Sequence, residues 1–167
     1  MIRPKRKHHI RQFSLSDNYA SVILLGLLFI CGLLIVLKHS FLAVAIYMGL
    51  WALSYPVIYA GTCRYCVYYG KKCPIPLEGS CVHKFFEKKE DSFGFLQLFW
   101  ASAAYGFRIA LPVFFIFKYS MTGWGLIYFS ILTVFWIIHL RFTGCPNCMN
   151  TQCPLNPDYT FNSLTRI

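Results

Sequence analysis

Four stretches of nearly uncharged apolar residues constrain this chain more than any motif in it. They cover residues 20–37, 41–60, 95–117 and 124–140, and the only Lys, Arg, Asp or Glu inside them is Arg108. Each is 17–23 residues long, enough at ~1.5 Å per residue to cross a hydrocarbon layer of ~30 Å. Away from water a backbone must satisfy its own hydrogen bonds, which makes each run a helix. None shows the polar face that a helix on the surface of a soluble protein needs. The whole chain is 57% hydrophobic and 13% charged, whereas soluble domains average about 45–50% and about 25%. The expected fold is therefore all-α and integral to a membrane. Four transmembrane helices form two parallel helical hairpins, each followed by a cytoplasmic Cys-x2-Cys knuckle.

This divides the chain into five parts. Residues 1–19 form a basic N-terminal arm, 20–60 the first hairpin, 61–94 a Cys-rich loop, 95–141 the second hairpin and 142–167 a Cys-rich tail. The opening "MIRPKRKHHIRQ" also suits a secretory leader, but the apolar run after it is long. No small-x-small cleavage site follows it at Lys38–Ser40, so the run is read as a retained span. An even number of spans puts both termini on one side. Arg3, Lys5, Arg6, Lys7, Arg11, Arg64, Lys71, Lys72, Lys84, Lys88, Lys89, Arg141 and Arg166 share that side, thirteen of the sixteen basic residues. Basic residues gather on the cytoplasmic face, so the termini and the Cys-rich segments are expected there. The net charge of +10 is mostly this topology signal, with some attraction to anionic headgroups. It comes with no folded basic surface for reading nucleic acid, and no nucleic-acid role is expected.

Seven of the eight cysteines fall on that same side: Cys63, Cys66, Cys73, Cys81, Cys145, Cys148 and Cys153. Cys31, inside the first run, reads as a small apolar residue. A reducing compartment disfavours stable disulfides, and clustered thiols there serve as metal ligands or redox groups. The spacing is Cys-x2-Cys-x6-Cys-Pro after the second run and Cys-x2-Cys-x4-Cys-Pro after the fourth. The two are read as copies of one unit, residues 20–76 and 95–157, related by an approximate two-fold axis along the membrane normal, as in parallel-repeat transporters. A Cys-x2-Cys pair offers two sulfurs to one metal from a tight turn, and two pairs supply a tetrahedral set for zinc or iron. Proline beside a ligand stiffens that turn. The segments resemble zinc and iron–sulfur knuckles, in which a Cys-Pro often ends the ligand run. Seven cysteines with His83 make eight candidate ligands, enough for two four-coordinate sites or for one site with spare thiols. Cys63, Cys66, Cys145 and Cys148 are expected to share one centre.

The cofactor expected is an iron–sulfur cluster used for electron transfer, with a structural zinc in a membrane scaffold as the alternative. Thiol–disulfide exchange and metal-ion carriage are further readings. "CPNC" resembles the redox pair of thioredoxin-fold enzymes, but the strand-to-helix context of that pair is missing here. Four-helix membrane oxidoreductases that reduce quinone carry their pairs on the oxidising side, and small mercury carriers place a pair within a span. The expected partners are the bilayer and either a membrane quinone or a soluble acidic redox protein such as a ferredoxin. The loop lysines would attract the latter.

Arg108 and His139 are candidate cofactor-binding residues. A charge inside a span costs at least ~2.5–3.5 kcal/mol, so Arg108 should face the bundle or a polar cavity. There it could hold an anion, a quinone carbonyl or a lipid headgroup. Otherwise it snorkels outward or bonds to Tyr105, Ser102 or tyrosines of the second run. Pro112 is expected to free the carbonyl of Arg108. His139 is placed to ligate or to support a cysteine sulfur, or else is an ordinary interfacial histidine. Tyr65, Tyr68, Tyr69 and Trp100 read as an aromatic belt, and "EKKED" at 87–91 as a solvated lead-in to the third run.

Overall fold

The computed structural model describes residues 15–140 apart from positions 74, 76, 91 and 92. The described residues are helical and contain no strand. The elements are α1 (Leu15–Leu37), α2 (Phe41–Gly61), a single-turn α3 (Glu78–Cys81), α4 (Phe95–Lys118) and α5 (Thr122–Ile138). The four long helices coincide with the four apolar runs. Three stretches, Tyr19–Leu37, Phe41–Tyr65 and Phe95–Lys118, are long and apolar enough to cross a membrane, and α5 is a shorter apolar helix.

The helix ends follow from local chemistry. Ser40 caps α2, its Oγ accepting from the amide of Leu42 at 3.2 Å, which satisfies one of the orphan donors of a helix start. Gln97 reaches back from the first turn of α4 to accept from the amide of Gly94 at 2.8 Å. Pro56 and Pro112 lie inside α2 and α4. Each removes an amide, so the carbonyls of Ala52 and Arg108 have no intrahelical donor four residues on.

The two short interhelical turns meet at one end of the bundle. His39 Nε2 lies 3.4 Å from Met121 Sδ, and the His39 ring stacks on Tyr119 and Phe115. Lys38 Nζ sits 4.4 Å above the Trp124 ring. The helices pack most closely as α2 against α4, followed by α1 against α5 and α1 against α4. Leu28, Ile35, Val36, Tyr47, Tyr128 and Phe135 fill the core. The outward faces are apolar too: Phe41, Leu42, Phe95, Phe117 and Leu126 are all strongly exposed, far beyond the scattered exposure of a soluble monomer.

The loop between α2 and α4 does not stay outside the bundle. Ile75 is buried in the same core as α1, α2, α4 and α5, and α3 follows it inward. The Tyr59 hydroxyl donates to the carbonyl of Leu77 at 2.7 Å, and the Tyr69 hydroxyl to that of Phe86 at 2.7 Å. Such bonds satisfy backbone groups that a non-helical segment would otherwise bury bare.

Candidate thiol and ion-pair site

Where α2 ends, Thr62 ties it to α4, its hydroxyl donating to the carbonyl of Gln97 at 2.8 Å. The chain then makes a 3₁₀ turn over Cys63–Tyr65, closed by the amide of Cys66 on the carbonyl of Cys63 at 3.1 Å. This is the tight turn anticipated for a Cys-x2-Cys pair. The loop folds back at Gly70, whose φ of 70° suits a residue without Cβ. The Gly70 amide donates to the carbonyl of Gly79 at 2.9 Å.

Two sulfurs receive backbone amides. Cys66 Sγ accepts from Tyr68 at 3.5 Å, and Cys73 Sγ accepts from Gly79 at 3.3 Å. The Cys73 thiol also donates to the carbonyl of Ile75 at 2.9 Å. Cys63, Cys66, Cys73 and Glu78 lie near enough for their charges to act on one another. Burial, then the Glu78 charge, push the Cys73 thiol up to about 12. Without a cation it stays protonated, and a bound metal would deprotonate it.

The other expected ligands divide. Cys81 packs with Tyr59 and Val82 in a second small core, its sulfur 3.9 Å from Ser80 Oγ. His83 is exposed on the next turn. Cys63, Cys73 and Cys81 are thiols rather than disulfide halves. Among the described residues no three metal-capable side chains converge into a binding group. Cys145, Cys148 and Cys153 lie outside the described residues, as do most of the basic arm and all of the C-terminal tail. Cys31 is buried within α1, as its apolar reading required.

Deeper in the bundle, α3 delivers Glu78 to Arg108. The guanidinium is fully buried. Its Nη1 donates to Glu78 Oε1 at 3.1 Å and its Nε to Ser54 Oγ at 2.8 Å. The Ser54 hydroxyl in turn donates to the carbonyl of Trp51 at 2.6 Å. Tyr55, Tyr105 and Trp51 surround the cation with their rings at 4.7, 4.7 and 5.2 Å. The Tyr105 hydroxyl approaches the same Glu78 oxygen at 3.5 Å. Arg108 therefore does not snorkel, and Ser102 is not its partner, since that hydroxyl donates to the carbonyl of Leu98. Nη2 of Arg108 has no acceptor among the described residues. Burial raises the Glu78 carboxyl above its ordinary range, and the guanidinium offsets part of that rise.

Glu78 is the residue that reading the sequence missed. The signal was present: a charge inside a span calls for a counter-charge, and the chain has only six acids, three of them in "EKKED". Glu87 and Glu90 of that run are exposed, as expected. The aromatic-belt reading fails for two tyrosines. Tyr68 is 3% exposed and Tyr69 braces the loop, so both face inward. His139 stacks on Phe135 at 5.8 Å and meets the edge of Trp136. Its Nδ1 is buried without a partner among the described residues. No protein-family model, curated protein or solved structure matches this chain.

Proposed function

We propose that this is a multi-pass membrane protein whose two Cys-x2-Cys segments meet at one end of a four-helix bundle and hold a metal through thiolates. The preferred form of that centre is an iron–sulfur cluster that passes single electrons. The observation that carries this reading is the pair of backbone amides aimed at Cys66 and Cys73. Such N–H···S bonds stabilise charge on a ligand sulfur and tune the potential of a cluster. The apolar outward faces support the membrane setting. The contact of the two short turns supports hairpins that point the same way, so that α2 and α5 both finish at the thiol end. Cys145 follows Leu140 by five residues, a reach of up to ~17 Å of extended chain. The second knuckle could therefore supply the sulfurs that the first lacks.

The exposed lysines 71, 72, 84, 88 and 89 would draw an acidic redox protein to this end at a rate that falls with salt. A membrane quinone is the other carrier within reach. A structural zinc is the second reading. It is favoured by how firmly the loop is tied into the bundle through Glu78, Tyr59 and Tyr69, since a centre that only shapes the fold needs such anchorage and no redox change.

The test is an anaerobic preparation of the full chain with iron, zinc and acid-labile sulfide counted, and visible spectra taken before and after dithionite. Iron and sulfide with reversible bleaching, lost in Cys66→Ser and Cys145→Ser alike, are expected. Stoichiometric zinc without bleaching replaces the electron-transfer reading by the structural one. Absence of both metals overturns the two together.

A further inference from the structure

A groove of about 460 Å³ lies between the second half of α2 and the start of α4. Its floor is apolar, made by Leu53, Pro56 and Val57 of α2 with Leu96 and Trp100 of α4. It runs from Leu53 to Gly61, ~12 Å along the helix axis, and ends at Arg64 and Tyr65. The volume is that of a binding cleft, ~300–1,000 Å³. Polarity is confined to the thiol end. Arg64 Nη2 donates to the Tyr65 hydroxyl at 3.0 Å, and its guanidinium lies 5.0 Å over the same ring. Its Nε is buried and has no acceptor among the described residues. A donor left bare in this way costs ~1–3 kcal/mol unless a ligand meets it. The amide of Lys89 donates to the carbonyl of Arg64 at 2.9 Å, so the backbone of a second, exposed basic residue lies next to Arg64.

We propose that this groove is a binding site for an anionic phospholipid, with an acyl chain along α2 and α4 and the phosphate on Arg64. The inference rests on the reading that the helices cross a bilayer. In that setting Arg64 lies at headgroup depth, and a basic pocket between helices on the cytoplasmic side is where anionic headgroups collect. The one-sided polarity selects a long amphiphile with a charged end over a small soluble anion, which would leave the apolar floor uncovered. A neutral lipid would fill the floor but leave the guanidinium unmatched.

Trp100 lines the groove and reports on its contents. The full chain is reconstituted in phosphatidylcholine vesicles containing a minor fraction of phosphatidylglycerol, with one or the other lipid brominated. The Trp100 contribution to quenching is obtained by difference from Trp100→Phe. Brominated phosphatidylglycerol should quench Trp100 well beyond its share of the bilayer. Arg64→Gln should reduce that preference about fivefold, the worth of one basic residue near a membrane surface, while Arg64→Lys retains most of it. Unaltered quenching of the remaining tryptophans by brominated phosphatidylcholine, read in the Trp100→Phe background, shows that each variant is inserted and folded. Quenching by each lipid in proportion to its share of the bilayer in the wild type, or a preference untouched by Arg64→Gln, overturns the site. No quenching by either lipid is a different result, which overturns the membrane reading itself.

Discussion

Arg108 stands thirteen residues beyond the start of α4, and every group around it answers a specific need of a buried guanidinium. Glu78 supplies charge, Ser54 an acceptor and three aromatic rings their electron-rich faces. Removing one member of such a pair leaves the other uncompensated, at ~3–5 kcal/mol, whereas replacing both by apolar residues of similar volume is often close to neutral. Glu78→Ala should therefore lower the unfolding midpoint of detergent-purified protein sharply, and Arg108→Met/Glu78→Leu should recover most of the loss. Additive losses in the double variant would show that the two residues act independently. The pH dependence has a definite sign. Burial holds the Glu78 carboxyl above its unfolded value, so its contribution is most favourable below the ordinary carboxylate range and is lost as pH rises through the folded pKa. Wild type should gain stability relative to Glu78→Gln as the medium is acidified from neutrality. A constant difference between the two across that range would contradict this.

At the scale of elements, α3 is a single turn that serves two structures at once. Glu78 engages Arg108, and the next amide, that of Gly79, engages the Cys73 sulfur. A Cβ at Gly79 would lie 2.7 Å from the carbonyl oxygen of Lys71, 3.0 Å from that of Tyr68 and 3.1 Å from Cys73 Cβ. Two of these neighbours are backbone, which cannot swing aside. Gly79→Ala should cost ~1–3 kcal/mol through overpacking and lengthen the bond to Cys73. The measurements are metal content and thermal stability together. A variant with wild-type values of both would mean the contact gives way freely. The long helices were legible in the sequence because a membrane-length apolar run has few other solutions. Their ends were legible to within a few residues: α1 begins at Leu15 rather than residue 20, and α5 closes at Ile138 rather than 140. The plugged loop was not legible. Ile75 and Glu78 sit in a short stretch rich in proline and glycine that reads as surface turn, and the arginine that draws Glu78 inward lies thirty residues away. The Cys-x2-Cys turn at Cys63 is local, and for that reason its form followed from spacing alone.

For the whole molecule, the thiol end and the basic end coincide. Among the described residues, Arg64, Lys71, Lys72, Lys84, Lys88 and Lys89 lie in the thiol-bearing loop, and Lys38 and Lys118 lie at the short interhelical turns. In the proposed orientation, reporters fused after residue 167 or inserted at 84–90 should behave as cytoplasmic, whereas one inserted at Lys118–Ser120 should behave as external. Activity of an export-dependent reporter at the loop and the C-terminus would invert the topology, place the thiols in an oxidising compartment and favour disulfide chemistry over metal.

The inward-folded loop also bears on how such a chain is made. α4 is the least apolar of the three long helices, and an arginine at its middle adds ~2.5–3.5 kcal/mol against partition from the translocon into lipid. Glu78 leaves the ribosome thirty residues ahead of Arg108. The neutralising acid is thus waiting when the difficult helix emerges. On the membrane reading, docking of the loop would offset part of the cost of releasing α4 into lipid, so the Arg108–Glu78 pair would assist insertion as well as brace the bundle.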